Sequence, residues 1–235
     1  MSELAQVHII AHIRTDFPTK FGIPRQSGLV EELEATIVFE PEYRNEAALR
    51  GLEGFSHLWL IWEFSQAKRA EWSPTVRPPR LGGNQRLGVF ATRSPFRPNH
   101  IGLSCVTLKG VDLHTPEGPV IRVAGADLMD GTPIYDIKPY LPYADCKPSA
   151  LGGFASQPKQ ASLEVDIPAH LLPLIPEEKR EALAGVLAQD PRPSYQDDPQ
   201  RVYGMAFGGL EIKFRVEGTR LILCQVEQRV EENQK

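Results

Sequence analysis

Apolar and polar residues alternate in several short stretches, and long helical stripes are rare. Val7, Ile9, Ala11 and Ile13 fall on one side of Val7–Arg14, with His8, His12 and Arg14 on the other, which predicts a half-buried strand with both histidines outward. Ala35–Phe39 predicts another strand, and Asn45–Leu52 a helical turn or two. Phe55–Phe64 is the clearest: Leu58, Leu60, Trp62 and Phe64 share one face, and His57, Trp59, Ile61 and Glu63 the other. Leu87–Thr92, Leu103–Leu113, Val120–Ala124 and Thr132–Lys138 predict further strands, with turns between them. Arg69–Asn84 is rich in Pro, Arg and Gly, and its prolines cannot donate to a central ladder, so it reads as a loop or edge arm.

After Leu151–Gln160, which reads as a linker, the pattern changes. A strand over Ser162–Ile167 is followed by the longest helix signal, Glu177–Gln189, with Pro176 and two glutamates at its start and Leu183, Val186 and Leu187 as its stripe. Leu210–Val216 and Arg220–Val226 flank Glu217-Gly218 as a hairpin. The fold class expected is mainly β: a small antiparallel β-barrel domain over 1–155, followed by a smaller α+β domain over 156–235.

Composition agrees with many turns, since 21 prolines and 19 glycines in 235 residues disfavour a helical bundle. No apolar run reaches the ~18 residues of a membrane span, and no secretory pattern opens the chain. Three widely spaced cysteines, Cys105, Cys146 and Cys224, suit neither a disulfide framework nor a zinc knuckle. They are expected as thiols in a cytoplasmic protein without metal.

The net charge is −4, which excludes a generally polybasic protein, but the charge is uneven. Glu31–Glu53 holds seven glutamates against Arg44 and Arg50. Lys68–Gly102 holds seven bases against Glu71, a local field suited to a polyanion, or else a solvated face with counter-ions nearby.

There is no G-x-G-x-x-G between a strand and a helix, no phosphate loop, no HExxH and no GxSxG. Three stiff loops present polar side chains instead: FGIPRQSG (Phe21–Gly28), ATRSPFRPNHIG (Ala91–Gly102) and ADLMDGTPIYDIKPYLP (Ala126–Pro142). Rigid loops of this kind often carry binding sites, although ordinary turn chemistry around a barrel would look similar.

These loops, together with GLEGFSHLWLIW, VRPPRLGGNQRLGV and the C-terminal AQDPRPSY, closely resemble the TrmO (YaeB/TsaA-like) proteins over nearly the whole chain. His100 departs from the pattern, where proline is common. The resemblance implies an S-adenosylmethionine-dependent tRNA methyltransferase built on a β-barrel, acting as a homodimer on N6 of threonylcarbamoyl-adenosine at position 37. It implies cofactor contacts at Pro24, Arg25, Gln26, Ser65, Gln66, Arg93, Leu103, Ala124, Gly125, Ala126 and Asp127.

The chemistry of such a donor suits these residue types. Arg25 or Arg93 would hold a carboxylate bidentately, Asp127 would accept from ribose or ammonium, and Leu103 would pack on adenine. Asp130 or Asp136 would take the acceptor's proton, although Asp130 before Gly131 also reads as a turn residue. Arg69, Arg77, Arg80 and Arg86 would contact RNA phosphates. Arg97, Lys138 or Tyr140 would engage the modified base, and Asp190 and Arg192 would close over it. Two other classes stay open: a regulatory barrel that binds a nucleotide or RNA without catalysis, and a methyltransferase acting on another RNA or a small molecule.

Overall fold

The computed structural model describes residues 5–68, 71–156, 162–193 and 198–229. In chain order the elements are β1 (Ala11–Arg14), β2 (Glu34–Phe39), β3 (His57–Glu63), β4 (Thr75–Val76), β5 (Leu87–Gly88), β6 (Ile101–Asp112), β7 (Val120–Ala124), β8 (Thr132–Pro139), α1 (Pro142–Asp145), β9 (Glu164–Asp166), α2 (Glu177–Ala188), β10 (Tyr203–Phe207), β11 (Leu210–Glu217) and β12 (Arg220–Gln228).

Six strands close a barrel in the order β1-β2-β7-β6-β3-β8, every neighbouring pair antiparallel. The alternation that marks β3 in the sequence decides its placement: Leu58, Leu60 and Trp62 point inward and are buried, while His57, Trp59, Ile61 and Glu63 line the outer surface. Ile13, Ile37, Ile121, Val123 and Ile134 complete the interior. Each fully buried aliphatic side chain contributes about 1.5–3 kcal/mol relative to exposure, and closure leaves no edge to protect.

β1 is shorter than its alternation suggests. Val7 and Ile9 are 56% and 39% exposed. The ladder begins only where Ile10 N–H donates to Ile134 and Glu40 N–H to Ile10, so earlier residues have no sheet to face. The strand expected over Leu87–Thr92 is likewise cut to two residues. β5 pairs with β4 alone, because Pro74 and Pro78 bound the partner segment and Thr92 folds its amide and hydroxyl back onto the Val89 carbonyl.

The C-terminal sheet runs β10-β11-β12-β9, with β9 parallel to β12, and α2 packs on it through Ala182, Leu183, Val186 and Leu187. β10 escapes the sequence reading, although its turn, Gly208-Gly209 with φ of 55° and 81°, is the two-residue I′ type that only such residues allow freely. The second hairpin turns at Gly218-Thr219, one residue later than expected. This core also takes in Phe17, Val30 and Leu33 from the segment that leads into and out of FGIPRQSG. No helix among the described residues is long and apolar enough to cross a membrane.

Candidate functional site

At one end of the β3–β6 pair, Trp62 lies opposite Gly102 and Glu63 opposite Ile101. β3 leaves the barrel through Phe64 into a short 3-10 turn, Ser65–Ala67, and Phe64 N–H ties it to the His100 carbonyl at 2.8 Å. A cavity of about 720 Å³ opens here, inside the range typical of small-molecule sites. Four segments wall it: 20–26, 62–67, 92–103 and 127–132.

The loop 92–100 is held by its own polar groups. Thr92 Oγ1 accepts from the Ser94 amide, Ser94 Oγ from the Phe96 amide, and Arg97 reaches back to the Thr92 carbonyl at 3.0 Å. The loop 24–28 is fixed from below, where Gly28 N–H donates to the Gly125 carbonyl at 2.9 Å. Gly125 has φ 75°, and a Cβ there would lie 3.3 Å from the Gly28 Cα, so the two backbones approach as closely as they do only with glycine at 125.

The floor is a hydrogen-bonded row. Trp62 Nε1 donates to Ser104 Oγ at 2.9 Å, and Ser104 donates to Asp127 Oδ1 at 2.5 Å. Ser104 is buried in the barrel, so its hydroxyl is committed to this row. The Trp62 ring takes the space above Gly102, where a Cβ would sit 2.3 Å from the indole. Burial raises the Asp127 carboxyl above the ordinary aspartate range. The Ser104 hydroxyl, the Asp127 and Ser27 amides and the charge of Arg93 oppose that rise without cancelling it.

Arg93 is exposed at the rim and donates to Gln26 Oε1, while the Gln26 amide donates to the Arg25 carbonyl. Glu63 holds a second carboxylate in the wall. Burial would raise it, but Lys68 and Tyr135 hydrogen bond to it and, with the charge of Lys68, bring it below the usual glutamate range. Tyr135 is the extra residue of a β-bulge where β8 slips against Ile61 and Trp62. Burial and Glu63 push its phenol up to about 12. Leu103, 52% exposed, and Ile101 present apolar surface between these charges.

Of the residues singled out from the sequence, Pro24, Arg25, Gln26, Ser65, Gln66, Arg93, Arg97, Leu103 and Asp127 line this one cavity. Ala124, Gly125 and Ala126 do not line it and lie buried beneath Asp127. Asp130 is exposed, outside the wall, and its Oδ1 accepts from the Thr15 amide at 3.0 Å. Asp136 pairs with Lys138 at 2.9 Å and accepts from the Ile137 amide. Tyr140 packs on His57 and Trp59, at the far end of β3 from the cavity, about 20 Å away at the usual rise per residue. Asp190 and Arg192 pair with each other at 2.8 Å after α2 and do not line the cavity. Arg77 and Arg86 stand exposed on the β4–β5 arm. Arg69 and the side chain of Arg80 lie outside the described residues, as do 157–160 of the expected linker and Ser194-Tyr195 of AQDPRPSY.

Sequence reading missed Lys20, Glu63, Phe64, Asn99, Met129 and Thr132 in the wall, and Ser104 behind it. Glu63 carried a signal, a carboxylate on the outward face of the best strand. Ser104 carried one too, a hydroxyl on an inward position of β6. The wall combines apolar surface with guanidinium, amide and carboxylate groups, which suits an amphiphilic ligand bearing both charges and a flat ring.

Residues 12–146 match the family of the tRNA-methyltransferase O N-terminal domain, and residues 160–229 that of the TrmO C-terminal domain. A tRNA (adenine(37)-N6)-methyltransferase of Escherichia coli K12 is 41% identical over 232 residues, which is 95% of this chain and 98% of the relative. A Pseudomonas aeruginosa relative, whose name refers to S-adenosylmethionine-dependent methyl transfer, is 41% identical over 223 residues, 91% of this chain and 93% of its own. A crystal structure of TrmO from Pseudomonas aeruginosa superposes with a TM-score of 0.77 at 33% identity, covering 96% of this chain and 99% of that one.

Proposed function

The chain belongs to the TrmO family, its activity is S-adenosylmethionine-dependent methylation of adenine 37 of tRNA at N6, and we propose how the residues of the cavity perform it. The observation that carries the reading is a single pocket in which the Gln26-braced Arg93 and the Ser104-held Asp127 stand beside the exposed Leu103.

The donor fits these groups. It pairs a carboxylate and an ammonium with a ribose and a purine, and about 720 Å³ accommodates it. Arg93 offers a guanidinium fork for the carboxylate, and Gln26 limits its swing. Asp127, held by Ser104 and by the Asp127 and Ser27 amides, faces the cavity, where it can accept from an ammonium or a ribose hydroxyl. Leu103 and Ile101 offer an apolar face to the purine, while Ser65 and Gln66 close the opposite wall. When bound, the donor supplies an electrophilic methyl group on a sulfonium whose charge disappears as the methyl departs.

The protein's own contribution is alignment. N6 of a carbamoylated adenine is a weak nucleophile, because its lone pair is shared with the carbonyl, so holding it in line contributes much of the rate. Trp62, Phe64 and Phe96 exclude water from the reacting end. We place threonylcarbamoyl-adenosine, rather than plain adenosine, in the site. Arg97 lines the cavity with one nitrogen tied to Thr92, which leaves the rest of its fork for the threonyl carboxylate. The enzyme then works in the cytoplasm, where mature tRNA is found, and as a homodimer whose second copy completes the RNA-facing surface.

Mass spectrometry of tRNA nucleosides from a deletion strain tests the substrate. Loss of N6-methyl-threonylcarbamoyl-adenosine, with the unmethylated nucleoside accumulating, is the expected result. Equal methyl transfer in vitro to tRNA lacking the threonylcarbamoyl group would remove Arg97's assigned role. Donor binding with no transfer to any tRNA would make the barrel a sensor.

A further inference from the structure

We propose that Trp72 and Phe90 form a stacking platform for a tRNA nucleobase neighbouring the target adenosine. This deepens the reading above and rests on RNA being the substrate.

The two rings lie 6.2 Å apart at 29° on the β4–β5 arm, where Trp72 is 51% and Phe90 72% exposed. Neither belongs to the barrel core or the C-terminal core. Large aromatic surface left in water forfeits burial energy, so an ordered exposed pair suggests a surface that is covered in the working complex. The arm that holds them is stiff: Thr75 pairs with Gly88, Val76 with Leu87, and Val89 N–H donates to the Pro74 carbonyl at 2.9 Å.

The placement is functional. Phe90 stands two residues before Thr92 and three before Arg93, both in the cavity wall. A base stacked on the arm would therefore sit next to the one entering the cavity. Charge selects the occupant. Arg77 is exposed and forms no ion pair with any described residue, and the Arg86 guanidinium rests on Thr75 Oγ1 at 3.1 Å. Guanidiniums on the same arm as an aromatic pair complement a phosphate backbone with unstacked bases, whereas an apolar protein partner would have to desolvate them. Trp and Phe read any base by its face, so the platform contributes affinity and register rather than sequence choice.

The test uses the full-length protein and an anticodon stem-loop bearing threonylcarbamoyl-adenosine. Trp72→Ala and Phe90→Ala are expected to raise the Kd for RNA about tenfold or more, at the scale of one stacked base. Donor affinity by calorimetry should stay unchanged, and Trp72→Phe should restore most RNA binding. The salt dependence separates stacking from charge: the aromatic variants should keep the wild-type slope, and Arg77→Ala with Arg86→Ala should flatten it. Wild-type RNA affinity in folded Trp72→Ala and Phe90→Ala would overturn the platform. A drop in sedimentation mass with unchanged RNA affinity would overturn it equally, making the arm a contact between copies. If the wild-type protein itself neither binds nor methylates the stem-loop, the RNA reading fails first.

Discussion

Phe17 and Phe207 meet edge to face, ring centres 5.4 Å apart at 66°, and join the segment before the cavity to β10 of the C-terminal sheet. Beside them Lys179 on α2 pairs with Asp16, and Gly208 N–H donates to the Asp16 carbonyl at 2.8 Å. Past the cavity loop, Val30 and Leu33 enter the same core. Pro24-Arg25-Gln26 therefore hangs between two anchors in the C-terminal unit.

Shortening one anchor should loosen the loop. Phe207→Ala would cost about 3–5 kcal/mol of stability and would not fold reliably, so Phe207→Leu is the informative variant. It should fold with a lower Tm and raise the donor's KM while leaving the tRNA KM near wild type. Equal rises in both would show a general loss of structure instead.

Arg93→Ala removes a rim guanidinium that carries no core packing. Calorimetry should show donor binding lost or reduced by about tenfold or more, as expected for a charge-assisted contact of ~1.5–3 kcal/mol, with Tm unchanged. Unchanged turnover on modified tRNA would remove Arg93 from the site.

Asp127 must be ionised to receive an ammonium or anchor a ribose. Its carboxyl titrates above the ordinary aspartate range because it is buried, so donor affinity should weaken as pH falls while normal aspartates are still charged. For stability the sign is opposite. A raised carboxyl favours the folded state when protonated, and that contribution disappears as pH rises through the folded pKa. Asp127→Asn should abolish the acid limb of donor binding and leave stability flat across that interval.

Gly102→Ala places a methyl where the Trp62 indole lies. The ring cannot shift without losing its bond to Ser104, so about 1–3 kcal/mol of stability should be lost, together with donor affinity. A melting curve and a donor titration on the same sample decide it, and a wild-type melting curve would show that the floor can yield.

Asp130→Ala removes the acceptor of the Thr15 amide in an exposed turn. We expect about 1 kcal/mol of stability lost and unchanged turnover per folded molecule. A kcat collapse with a normal melting curve would return Asp130 to the proton-transfer step for which it was a candidate beside Asp136, and would count against the turn role that its position before Gly131 suggests.

Much of this molecule was legible along the chain. β3 declared both its faces through strict alternation, the prolines around 74–79 marked an arm outside the barrel, and the missing glycine fingerprint excluded a dinucleotide crevice. The resemblance carried by FGIPRQSG and RSPFRPNHIG pointed to Arg25, Gln26 and Arg93 before any geometry was available. Residues that mark a turn or a strand by their own type are visible without a partner, because backbone preference is local.

The partners were not visible. Ser104 looks like an ordinary inward hydroxyl until Trp62 and Asp127, 42 and 23 residues away, close on it. Tyr135 meets Glu63 only because β8 bulges, and Phe17 finds its core on β10 rather than in the barrel that surrounds its neighbours in sequence. Periodicity determined which side of each strand faces inward. The registers between distant strands decided which loops share a cavity, since pairing depends on contacts that no window along the chain contains.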